Sequence, residues 1–133
     1  MDANKFSDYL NPEDENMEPV RRWMKSKGKL VYSPTEKLKQ ELDRHKKMRL
    51  QIDEYRKNGS LKQYPAQEVE RVKDRLPSLQ SDDPDIIALA QVAEVGLLVS
   101  GDTDLHADFK AVIGGSVYQT RKHSRLLRRD TCP

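Results

Sequence analysis

One cysteine in 133 residues, Cys132, leaves the chain without an internal disulfide, and its place beside the carboxyl end makes it a thiol of the tail. That usage fits a reducing cytoplasm. No apolar run approaches the roughly 18 residues that a membrane helix needs, and no leader pattern opens the chain, so no membrane role is expected. Hydrophobic residues reach only 35%, against 35% charged. They are nevertheless patterned, which excludes a disordered chain and points to one domain over residues 1–133 with a modest core.

The most informative absence is of positive charge. From Ser81 to Phe109 there is no Lys or Arg, while Asp82, Asp83, Asp85, Glu94, Asp102, Asp104 and Asp108 make seven acids. The stretch is also the most apolar in the sequence. The net charge of +2 hides this segregation: residues 1–20 carry −5, 21–77 carry +9, 78–109 carry −7 and 110–133 carry +5. Carboxylates placed before a helix and after a buried strand repel one another unless a cation sits between them, and a divalent metal is the usual one. Basic flanks around an acidic centre suit an enzyme that acts on a polyanion through metal ions.

The local signals alternate between strand and helix. A short apolar set, Phe6, Tyr9 and Leu10, follows Asp2 and Asn4, and a loop follows Asn11-Pro12. A helix is expected from Glu18 to Lys27, closed by Gly28, with Met17, Val20, Trp23 and Met24 on one face. Lys29 to Ser33 reads as a strand. Ser33-Pro34-Thr35-Glu36 then has the form of a capping box with Ser33 as N-cap. It opens one long helix whose stripe is Leu38, Leu42, His45, Met48, Ile52 and Tyr55, with Glu41 beside that stripe. Asn58-Gly59-Ser60 ends it.

Pro65 opens a further helix with Val69, Val72 and Leu76 inward. Pro84, capped by Asp83, opens another that runs to Gly96. Leu97 to Ser100 reads as a strand buried on both faces, Ser116 to Gln119 as a third strand, and Arg121 to Arg129 as a basic helix with Leu126 and Leu127 inward. This alternation predicts an α/β fold in three layers, with a short, mostly parallel central sheet flanked by helices. In such sheets ligands gather at the carboxyl ends of strands, where Asp102 and Asp104 stand.

Four motifs in order carry a resemblance. Asp2-Ala3-Asn4 comes first; then Ser33 with Glu41-Leu42 eight residues on; then Asp83 with Ile86, Ala88 and Ala90; then Ser100-Gly101-Asp102-Thr103-Asp104-Leu105. The pattern resembles the PIN-domain nucleases, the family that includes the VapC toxins of toxin–antitoxin pairs, over nearly the whole chain.

The resemblance implies that Asp2, Glu41, Asp83 and Asp102 are the catalytic, metal-binding acids, with Asp104 as a further ligand and with Asn4 and Ser100 orienting them. It implies Mg2+ or Mn2+ as cofactor. The substrate would be RNA, cut to leave 5′-phosphate and 3′-hydroxyl ends by an ion-activated water, so that no catalytic histidine is needed. His106 and His123 are therefore expected outside the ligand set. An antitoxin protein and a homodimer are the partners it suggests. Arg121, Lys122, Arg125, Arg128 and Arg129 are the candidates for phosphate contact. In the family a buried strand runs into the first Asp; here only Met1 precedes Asp2, so another segment must substitute or the strand is missing. Two other classes stand beside the nuclease: a PIN-fold binding module whose catalysis has lapsed, and a receiver-type phosphate-signalling domain. The second lacks the phosphoacceptor Asp that should follow the Lys29–Ser33 strand.

Overall fold

Some helix starts in this chain are set by side chains that take up free backbone N–H groups, and one of these caps lies two residues from its expected place. In the computed structural model, which describes residues 1–128, the cap after the first strand is Thr35, whose hydroxyl accepts from Leu38 N; Ser33 is not the cap but a buried strand end. The expected single long helix is two, α3 (Glu36–Asp43) and α4 (Lys46–Asn58). His45 causes the break. It leaves helical geometry, and its Nδ1 accepts from Met48 N at 3.2 Å, so it caps the second helix instead of packing in the stripe of the first.

The remaining helices are α1 (Phe6–Leu10), α2 (Glu18–Ser26), α5 (Ala66–Asp74), α6 (Pro84–Ala93) and α7 (Thr103–Val112). α6 stops before Gly96 because Glu94 turns left-handed at φ 56°. The tail forms a 3-10 turn, Arg121–Leu126, where an α-helix to Arg129 was expected. Arg129 and Cys132 lie outside the described residues.

Among the described residues four strands of three residues each alternate with these helices: β1 (Leu30–Tyr32), β2 (Leu61–Gln63), β3 (Leu97–Val99) and β4 (Ser116–Tyr118). β2 carries no strong pattern in the sequence, since Leu61-Lys62-Gln63 is mostly exposed. All pairing is parallel, but the expected single sheet is divided. β1 pairs with β2, β3 pairs with β4, and the two pairs are not joined. Gly115 lets β4 approach β3, because a Cβ there would meet Gly96 O at 2.5 Å.

The strands separate two cores. Val99 and Tyr118 pack with Tyr9, Val20, Met24, Met48 and Ile52 from α1, α2 and α4. Leu98, next to Val99, packs with Val69, Ile87, Leu105 and Phe109 from α5, α6 and α7. The period-2 alternation of β3 thus puts one helix layer on each face, the three-layer α/β arrangement.

Candidate metal centre

Asp102 follows the carboxyl end of β3, and two other acids distant in sequence meet it there. One carboxylate oxygen from each of Asp2, Asp83 and Asp102 lies within 4.8 Å of the others. Each arrives by a different local device. Asp2 is 3% exposed and fixed at two points: its N–H donates to Val99 O at 2.9 Å, and its Oδ2 accepts from Ser100 Oγ at 2.8 Å. Asp102 is the N-cap of α7, its Oδ1 accepting from Asp104 N and Leu105 N, while its own N–H donates to Ser100 Oγ at 3.0 Å. Ser100 therefore ties two of the three acids together. His106 Nε2 holds the carbonyl of Ser100 at 2.6 Å, a positioning contact and not a ligand one.

Asp83 stands at the N-cap of α6, yet the expected capping bond is absent: its side chain accepts nothing from the helix. The carboxylate turns instead to Lys37, whose Nζ lies 3.0 Å from Oδ1. That oxygen makes no ideal hydrogen bond, but the ammonium beside it supplies its counter-charge. Burial pushes the Asp83 carboxyl above the usual range, against the pull of Lys37, and Asp2 and Asp102 push the same way.

Glu41, from α3, adjoins this group. Burial is the main reason that its carboxyl is raised; Asp83, Asp2 and Asp85 add to the rise, and Lys37 opposes it. Its Oε1 is buried without a hydrogen-bond partner. A buried carboxylate oxygen left unpaired among like charges is what an oxygen-ligated cation would relieve. The Met1 α-amine, next to Asp2, is lowered by its burial and partly restored by the Asp2 charge.

The other expected site residues fall elsewhere. Asp104 is exposed on the first turn of α7, and Asn4 is exposed on the 3-10 turn Ala3–Lys5; neither belongs to the group that closes within 4.8 Å, and the holder of Asp2 is Ser100. Asp82 is exposed, and Asp85 is buried with Lys73 Nζ at 3.6 Å, so Asp83 is the member of that trio in the cluster. Arg121, Lys122, Arg125 and Arg128 are exposed on and beside the 3-10 turn after β4, with Arg121 paired to Glu15 at 3.3 Å. His123 caps that turn by accepting from Gln119 N and Thr120 N.

Sequence reasoning missed Lys37 and Lys5. Lys37 lies one helical turn before Glu41, a spacing that puts both on one face of α3. Lys5 covers Gly101: a Cβ at Gly101 would lie 3.4 Å from its Nζ. No family model, curated protein or solved structure matches this chain. Among the described residues no helix is long and apolar enough to cross a membrane.

Proposed function

We propose that the chain is a Mg2+- or Mn2+-dependent endoribonuclease that hydrolyses RNA phosphodiester bonds, of the PIN-domain kind its motifs resemble. The observation that carries this reading is the meeting of Asp2, Asp83 and Asp102 from positions up to 100 residues apart. Four carboxylates offer the hard oxygen donors that these ions prefer, and the donor set holds no softer ligand. Asp2, Asp83 and Asp102 would hold the ion, with Glu41 beside them and Asp104 at the rim. When bound, such an ion acidifies a water and neutralises phosphate charge.

The chain's own residues supply the rest. Ser100 orients Asp2 and anchors the start of the Asp102 loop, and the cap of α7 restrains the Asp102 carboxylate. The 3-10 turn bearing Arg121, Lys122 and Arg125 starts three residues after Tyr118 of β4, whose partner in register is Val99. By that topology these cations would follow the carboxyl end of β4, beside the end of β3 that leads to Asp102, and would suit an RNA backbone. Through the resemblance, an antitoxin protein and a second copy of the chain belong to the same reading.

A second reading, a PIN-fold module that binds RNA or protein without cutting, draws on Lys37, which already gives Asp83 a cation. A labelled single-stranded RNA incubated with the chain and Mn2+, with and without a chelator, separates the two. Chelator-sensitive cleavage is expected, and Asp102→Asn should lower it by at least about a hundredfold. Asparagine caps a helix about as well as aspartate, so the variant should melt within a few degrees of the parent. Binding of RNA with no cleavage at any Mn2+ concentration would favour the module.

A further inference from the structure

A cation in the first turn of a helix is disfavoured, because the amino end of the helix is already positive. Lys37 is the second residue of α3, directly after Glu36 and the Thr35 cap, so the helix gains nothing from its charge. Nor does it lie in open solvent. Glu36, Lys39 and Gln40 of the same helix are exposed, whereas the Lys37 side chain is half-withdrawn and reaches Asp83 Oδ1 at 3.0 Å.

Asp83 needs that contact more than its neighbours do. Ser100 Oγ holds Asp2, and the backbone N–H groups of Asp104 and Leu105 hold Asp102. Asp83 takes no such bond from α6, and its Oδ1 is buried. One turn further along α3 stands Glu41, on the face it shares with Lys37, so the same ammonium acts on two acids. Lys73 shows the ordinary arrangement for a buried acid of this chain: Glu70 at 2.7 Å and Asp85 at 3.6 Å share one ammonium between two carboxylates. Around Lys37 the count is higher. Asp83 is in contact with it, and Asp2, Asp102 and Glu41 adjoin Asp83.

We propose that Lys37 is a displaceable counter-ion: it neutralises part of the acidic group while no metal is bound, and it leaves Asp83 when a divalent ion is taken up. Metal binding is then a competition between two cations for one carboxylate. A lysine suits such an exchange, being a compact charge on a flexible stem. Its side chain is 35% exposed, so it can swing into water without disturbing α3. Two cations held at contact distance of one carboxylate repel each other strongly, even with the screening that a site near the surface allows. The ion concentration at which the site fills is therefore set by Lys37 as well as by the acids. That role presupposes the metal site of the nuclease reading, and it presupposes no RNA.

Lys37→Met keeps the length of the side chain and removes its charge; Lys37→Gln gives the same comparison through a polar side chain. Calorimetry on the full chain at neutral pH should find Mn2+ bound at least about tenfold more tightly by either variant than by the parent. Without metal the variants should melt about 3–6 °C lower, because the acids have lost their counter-charge. Millimolar Mn2+ should then raise their Tm by more than it raises the parent's. Lys37→Arg, which keeps the charge, should match the metal-free Tm of the parent and bind Mn2+ no more tightly. A lysine that only braces α3, or that orients Asp83 toward the ion, predicts the other sign. Equal or weaker Mn2+ binding by Lys37→Met and Lys37→Gln would overturn the proposal and leave the metal site standing. Binding by these variants with none by the parent would support displacement in its strongest form. No binding by any of them would remove the metal site and the exchange together.

Discussion

Asp108 and Asp83 both come from the stretch that has no lysine or arginine, both are largely withdrawn from water, and their carboxyls are pushed in opposite directions. Burial acts to raise each. At Asp108 it loses: the backbone N–H groups of Gln80 and Ser81, at 2.9 and 2.8 Å, and the Ser81 side chain bring the net shift below the ordinary value. At Asp83 it wins, because Lys37 alone faces the combined charges of Asp2 and Asp102. Glu41 repeats the pattern of Asp83. A buried acid with backbone donors holds the fold together, whereas buried acids that face one another strain it. The difference separates an acid that ties the fold from the acids on which the proposed function rests, whose charges the protein itself leaves under-compensated.

The largest expected effect is on the satisfied acid. Asp108→Ala removes both acceptors of a loop that has crossed 27 residues of sequence to reach α7. Bonds from backbone donors to a buried charge are worth more than neutral ones, so the variant should lose about 2–3 kcal/mol in urea unfolding. Asp108→Asn, which can accept through one oxygen only, should lose about half of that. An Asp108→Ala protein as stable as its parent would erase the contrast with Asp83.

Glu41→Gln should act in the other direction. Removing a negative charge from the strained cluster raises the metal-free Tm by about 2–5 °C. The sign with pH follows from linkage. Glu41 has a folded pKa above its ordinary 4.5, so the folded state keeps a proton that the unfolded chain has released. Stability contributed by that proton is present below 4.5 and declines as pH rises through the raised folded value. Asp108, depressed below 3.8, contributes stability that is present above 3.8 and disappears as pH falls through its folded value. Glu41→Gln should therefore flatten a Tm–pH profile above pH 4.5, and Asp108→Ala below pH 3.8. Millimolar Mn2+ should restore stability at neutral pH to the parent and less to Glu41→Gln. A parent whose metal-free Tm rises steadily as the pH climbs above 4.5 would count against a crowded site.

Much of this contrast is legible in the sequence, and the illegible part has a common cause. The cation-free stretch and the Ser100-Gly101-Asp102 turn locate the acidic centre, and the alternation of apolar runs gives the α/β layers and three of the four strands. Periodicity does not report which atom takes a hydrogen bond. Thr35 in place of Ser33 as cap, His45 breaking the long helix, and Asp83 leaving its helix uncapped all turn on such local competition. The division of the sheet is a matter of long-range pairing, for which three-residue strands leave almost no pattern. In the sequence Lys37 is one more cation on a charged helix; its place beside Asp83 follows from the helix face that it shares with Glu41.

The smallest effect sharpens the comparison most, because Ser100 belongs to both kinds of chemistry at once. Its buried hydroxyl donates to Asp2 Oδ2 and accepts from Asp102 N, so one side chain satisfies a carboxylate of the strained cluster as backbone donors satisfy Asp108. Ser100→Ala keeps the volume nearly unchanged and removes both bonds. The Asp102 N–H loses its acceptor, at a cost of about 1 kcal/mol in unfolding. Asp2 keeps its main-chain bond to Val99 but loses the group that orients its carboxylate. If Asp2 is a ligand, Mn2+ binding followed by calorimetry should weaken by about tenfold, as when an orienting partner of a metal ligand is removed. The two quantities separate the roles: loss of stability with unchanged Mn2+ affinity would make Ser100 another Asp108-like tie, and Asp2 a structural acid rather than a ligand.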